Sequence, residues 1–211
     1  MLKEFCAENF THVPEAIQAG VNRIELCDNL AFGGTTPSTG VIEETVKYAH
    51  EHNVPIMTII RPRGGDFYYN DIELKIMELD ILEAVKRGTD GIVLGALDEN
   101  NWIDEEVVEN LLIPAEGLQT TFHMAFDSID PDRQFEAIDW LVDHEFDNIL
   151  THGDTETTKI EQNFDHLKEL VDYAGDRINI LVGGGVRFDN YEQVVAKTGT
   201  KNVHGTSIVK I

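Results

Sequence analysis

The sequence predicts an α/β fold, a TIM-like (β/α)8 barrel lacking its final helix. Three observations carry this. Short β-like runs alternate with amphipathic helical stretches along all 211 residues. Eight such runs are separated by seven helical stretches, the count of a barrel that stops one helix early. Polar or glycine-rich residues follow nearly every strand run, whereas an open doubly wound sheet gathers them at one switch point.

In chain order, strands are predicted near residues 2–7, 23–27, 55–60, 91–94, 120–125, 148–151, 179–182 and 203–205. Helices are predicted near 12–19, 38–52, 71–87, 104–113, 131–144, 159–173 and 189–197. Thr36-Pro37-Ser38 and Asp130-Pro131 place a proline near a first helical turn. Gly20, Gly88 and Gly199 stand where helices end and the chain turns back into strands. Ile208-Val209-Lys210-Ile211 follows directly on the eighth strand. With no eighth helix to cover the barrel there, an apolar strip is expected to draw copies of the chain into a homo-oligomer. The whole of 1–211 fits a single domain.

Composition narrows the partners. The chain is 42% hydrophobic and 26% charged, with 39 acidic against 16 basic residues and a formal charge of −23. That field repels nucleic acid and anionic membrane alike. The acid is spread along helical stretches such as Asp104-Glu105-Glu106 and the segment from Glu156 to Asp172, which read as solvated surface. The opening Met1-Leu2-Lys3-Glu4-Phe5-Cys6 is too polar for a signal peptide, and no apolar run is long enough to span a bilayer. A cytoplasmic location is expected, with the two cysteines, Cys6 and Cys27, reduced.

The candidate chemistry gathers at the strand ends. Ile60-Arg61-Pro62-Arg63-Gly64-Gly65-Asp66-Phe67 carries a strand into two arginines, a diglycine and an aspartate, a combination suited to a carboxylate or phosphate. Residues two apart on a strand share a face, which groups Glu4 with Cys6, Glu25 with Cys27, Arg61 with Arg63, and Thr121 with His123, Ala125 and Asp127. Charged groups face the helix layer only at high cost, so these sets are expected to point into the barrel. Glu25, Arg61, Arg63, Asp66, His123 and Asp127 form the candidate catalytic set, with His152 and His204 at the rim; the bland alternative is a network of satisfied ion pairs. Gly183-Gly184-Gly185-Val186-Arg187 leaves strand seven and His204-Gly205-Thr206-Ser207 leaves strand eight. Loops at these two places commonly bind phosphate through backbone N–H groups. Gly183, Gly184, Gly185 and Arg187 are therefore candidate ligand-binding residues. Cys6 and Cys27 lie near the ends of neighbouring strands, where two thiolates could hold Cu(I) or help bind Zn²⁺. Neither lies in a CxxC or Cys/His zinc spacing, and two small core residues are the plain alternative.

Arg23-Ile24-Glu25-Leu26-Cys27, Gly33-Gly34-Thr35-Thr36-Pro37-Ser38 and Ile60-Arg61-Pro62-Arg63-Gly64-Gly65-Asp66-Phe67 resemble the CutC family. Thr121-Phe122-His123-Met124-Ala125-Phe126-Asp127 and Gly183-Gly184-Gly185-Val186-Arg187 continue the resemblance in the same order, over nearly the whole chain. The resemblance implies a TIM-like barrel, a cytoplasmic location and a part in copper homeostasis, with Cys6 and Cys27 as Cu(I) ligands. Family members often run on further at the C-terminus. Two functions remain open at this level. One is a copper-handling protein. The other is a lyase, isomerase or hydrolase acting on a small phosphorylated or carboxylated metabolite, in which Arg61, Arg63 and residues 183–185 hold the anion, Glu25, His123 and Asp127 move protons, and a divalent metal can take part.

Overall fold

Eight parallel strands pair each with the next, and the last with the first, in a closed barrel. They are β1 (Leu2–Glu8), β2 (Arg23–Cys27), β3 (Ile56–Ile59), β4 (Gly91–Leu94), β5 (Gln119–Phe122), β6 (Asn148–Thr151), β7 (Asn179–Val182) and β8 (Asn202–Gly205). The connecting helices are α1 (Val13–Gln18), α2 (Thr39–Glu51), α3 (Asp71–Lys86), α4 (Glu105–Leu112), α5 (Gln134–Asp143), α6 (Phe164–Ala174) and α7 (Tyr191–Thr198). The computed structural model describes residues 1–155 and 158–211. The first residue of the acid-rich segment that begins at Glu156 thus lies outside the described residues.

Strand alternation splits the apolar residues into two clusters. Phe5, Ile24, Leu26, Ile56, Ile92, Phe122, Ile149 and Val203 pack outward against the helices. Cys6, Cys27, Met57, Ile59 and Val93 form a separate small cluster on the opposite face, inside the barrel. Local signals fix the helix starts. Ser38 caps α2 by accepting from Val41 N–H at 3.3 Å. Asn70 and Glu73 form a reciprocal capping box at α3.

Several boundaries differ from expectation. β5 ends at Phe122, because the His123 side chain caps a 3₁₀ turn over Met124–Ser128. Residues beyond Phe122 therefore leave the two-residue alternation that grouped Asp127 with His123. A 3₁₀ turn over Pro131–Arg133 precedes α5, and another over Ile160–Gln162 precedes α6, so both helices begin later than their patterns predict. Among the described residues no helix follows β8. Ile208 and Val209 are instead buried in the outer apolar layer, and Phe188 N–H donates to Ser207 carbonyl at 2.8 Å. The apolar strip expected to be bare is thus partly filled by the chain's own C-terminal residues. The exposed apolar side chains collect on α3, at Ile72, Ile76, Leu79 and Leu82.

Candidate metal centre

The barrel closes β8 onto β1, and this brings together charged groups from the two ends of the chain. Register pairs Cys6 with Glu25, and Glu4 with both Arg23 and His204. Glu4, Cys6, Arg23, Glu25, Cys27 and His204 are all buried on the inner face. Cys6 Sγ lies 3.9 Å from Cys27 Sγ. With a Glu25 carboxylate oxygen, the two sulfurs form a donor set lying within 4.8 Å. His204 bridges two carboxylates, with Nδ1 2.8 Å from Glu4 and Nε2 3.5 Å from Glu25. Arg23 donates to the second oxygen of Glu4. The result is a buried chain running Arg23–Glu4–His204–Glu25, with the two cysteines beside its far end.

Each member's proton follows from these neighbours. Burial opposes ionisation of Glu4, but the Arg23 charge, and after it His204, hold the carboxyl below its ordinary range. Burial also opposes a charged His204. The negative charge shared by Glu25, Cys6 and Glu4 overcomes that and holds the imidazolium well above its usual value. The Cys27 hydrogen bond, then His204, bring Cys6 down to about 5 against the cost of burial. Cys27, donating to that thiolate, is pushed well above its usual value, with burial adding to the shift. Glu25 is raised well above the carboxylate range by burial first and the Cys6 charge second. At neutral pH the centre is a Cys6 thiolate beside a His204 imidazolium, flanked by a protonated Cys27, with the Glu25 carboxyl held above its ordinary value.

Cys6, Glu25 and Cys27 line a cavity of about 450 Å³, together with Arg61, His123, Gly184, Gly185, Arg187 and His204. Of the residues singled out in the sequence, this cavity gathers Glu25, Arg61, His123, both cysteines and part of the triglycine run. Gly183 is buried just behind the wall, where a Cβ would meet Leu150 at 2.8 Å. His123 is held neutral, its pKa pushed down to about 3 by burial and then by Arg61. Its Nδ1 accepts from Ala125 N–H at 3.2 Å, so the proton sits on Nε2, which has no partner among the described residues.

Three residues fall elsewhere. Arg63 lies past the end of β3, outside the cavity, and binds Glu73 at 2.5 Å, Asp66 at 2.9 Å and the Tyr68 carbonyl at 2.7 Å. Asp66 is largely exposed and serves as one of those partners. Asp127 does not line the cavity. It accepts from Thr151 Oγ1, from His152 N–H at 2.9 Å and from Gly153 N–H at 3.2 Å, pinning the exit of β6. Burial pushes its carboxyl up to about 7 against those donors. Arg61 does reach the cavity, yet its terminal nitrogens are committed to the carbonyls of Phe32, Gly33, Gly34 and Gly65. It clamps two mouth loops together. His152, expected at the rim, is buried with its ring directed at the carbonyls of Gly183 and Thr158. Arg23 and Glu4 escaped sequence reasoning as functional groups, and His204, expected at the rim, is instead buried against Glu4. The available signal was the alternation of Arg23 with Glu25 and of Glu4 with Cys6.

Comparison with known proteins agrees with this architecture. The CutC family model matches residues 1–209. A CutC family protein of Enterococcus faecalis is 63% identical over 209 residues, 99% of this chain and all of that protein. The mouse copper homeostasis protein cutC homolog is 38% identical over 204 residues, 96% of this chain and 72% of that protein. Among solved structures, CutC from Streptococcus agalactiae superimposes with a TM-score of 0.97 at 51% identity, covering 99% of this chain and 100% of that one. A deoxyribose phosphate aldolase from Aeropyrum pernix shares the fold alone, with a TM-score of 0.72 at 14% identity over 98% of this chain and 85% of that one.

Proposed function

This chain belongs to the CutC family, and on that premise we propose that it takes part in copper homeostasis by binding Cu(I) through Cys6 and Cys27. The observation that carries the reading is the 3.9 Å separation of the two sulfurs inside a closed barrel. Two metal–thiolate bonds of about 2.3 Å span that distance when bent to roughly 115°, leaving a third position open. Glu25 is the nearest further donor. Soft thiolates favour Cu(I) over the harder divalent ions. Cys6 is already a thiolate, and only the Cys27 proton has to leave on binding. Two free thiols this close need a reducing compartment, so the cytoplasm is the setting of this reading.

The test is an anaerobic competition titration with a Cu(I) chelator, comparing wild type with Cys6→Ser/Cys27→Ser. One equivalent bound tightly by the wild type and lost in the double variant is the expected result. Equal affinity in both proteins would overturn the reading.

A further inference from the structure

We infer that the same cavity binds a second ligand, the phosphate monoester of a small metabolite, with the phosphate on the β7–β8 side and an acceptor oxygen at its other end on His123. This does not depend on the copper reading, because it uses none of the thiols.

The first ground is charge. In a chain carrying 39 acidic and 16 basic residues, random placement would line a cavity with carboxylates. This one is lined by the guanidiniums of Arg61 and Arg187 and by His204, against the Cys6 thiol and the single carboxyl of Glu25, with the neutral His123 ring between them. A positive mouth in a strongly negative protein selects an anion and focuses it there.

The second ground is the rim itself. Gly184 and Gly185 both adopt left-handed backbone, with φ of +70° and +94°. A Cβ on Gly184 would meet His152 Nδ1 at 2.5 Å, so no side chain shields this stretch of backbone. Among the described residues, neither amide of the pair donates to a backbone carbonyl or side chain. Successive free N–H groups in such a turn form an anion-binding nest. Thr206 and Ser207, two hydroxyl-bearing residues, line the same cavity from the exit of β8. Arg187 adds an exposed guanidinium, held among the described residues by Asp189 at 3.5 Å.

The third ground is an unanswered donor. His123 is 4% exposed, lines the cavity just past the end of β5, and its buried Nε2–H has no partner among the described residues. A buried donor left unmade costs free energy that a ligand oxygen recovers. Gly95 leaves room for this ring, since a Cβ there would meet it at 2.7 Å. The cavity volume of about 450 Å³ accepts a molecule of a few carbons plus a phosphate.

The probes are inorganic phosphate and glycerol 3-phosphate, titrated calorimetrically into metal-free protein. We expect saturable binding of both, with the ester at least tenfold tighter. Arg187→Ser combined with Thr206→Val should weaken both probes at least tenfold. His123→Phe should remove the advantage of the ester and leave inorganic phosphate unchanged. The Cys6→Ser/Cys27→Ser protein should bind inorganic phosphate as the wild type does, which separates this inference from the fate of the copper reading. Malonate serves as the carboxylate arm. Malonate binding as tight as phosphate, no binding of either phosphate probe at ten millimolar, or full phosphate binding by the Arg187→Ser/Thr206→Val variant would each overturn the proposal.

Discussion

Glu4 and His204 stand 200 residues apart in sequence and share a 2.8 Å hydrogen bond inside the barrel. The bond exists because β8 closes onto β1 with Glu4 in register with His204. It transmits the Arg23–Glu4 ion pair to the imidazolium beside Cys6. Reactivity at Cys6, whose pKa is lowered first by the Cys27 hydrogen bond, is thereby tuned by a contact between the two ends of the chain.

Alkylation of Cys6 should report that link. With Cys6 brought down to about 5, its rate of reaction with iodoacetamide should rise through a midpoint near that pH and stay level to pH 8. His204→Gln removes the positive neighbour, so the midpoint should move up by at least one unit. An unmoved midpoint would mean that His204 does not set the thiolate.

Copper affinity should depend on pH through Cys27. Cys6 holds no proton above about pH 6, whereas Cys27, pushed well above its usual value, holds one throughout the neutral range. Binding then releases about one proton, and the Cu(I) association constant should rise about tenfold per pH unit between pH 6 and 8. Competition titrations at three pH values measure the slope; a flat line would place both thiolates in the free protein.

Asp127 gives a stability prediction with a definite sign. In the folded chain burial pushes its carboxyl up to about 7, whereas in the unfolded chain it titrates near its ordinary value of 3.8. Between those values the folded state holds the extra proton, so this group makes stability fall as pH rises from about 4 to about 7, then flattens. Asp127→Asn imitates the protonated acid. In urea unfolding, the variant should lose less stability than wild type between pH 5 and pH 7.5.

Arg61→Lys should cost about 2–4 kcal/mol, because an ammonium cannot reach the four carbonyls that the guanidinium holds. Chemical denaturation measures the loss. A cost under about 0.5 kcal/mol would mean that the mouth loops hold themselves.

Self-association should run through α3 rather than through the end of the barrel. Ile72, Ile76 and Leu79 form an exposed stripe on one face of that helix. Sedimentation should show a dimer that Leu79→Lys dissociates; an unchanged dimer would exclude this face.

The sequence alone was enough to determine the barrel. Strand alternation and helical periodicity are local properties, and the proline and glycine positions mark element ends within a residue or two, as at Ser38, Gly88 and Gly199. The same alternation put Cys6, Glu25 and Cys27 on inward faces, since their orientation follows from strand position alone. It failed where strands end. Arg63, Asp66 and Asp127 lie beyond the last paired residue, where side-chain direction is set by capping turns and by partners distant in sequence. Tertiary structure also decided which groups are charged. The raised carboxyl of Glu25, the thiolate at Cys6 and the imidazolium at His204 depend on burial and on closure of β8 against β1, and neither is encoded in any short stretch of chain.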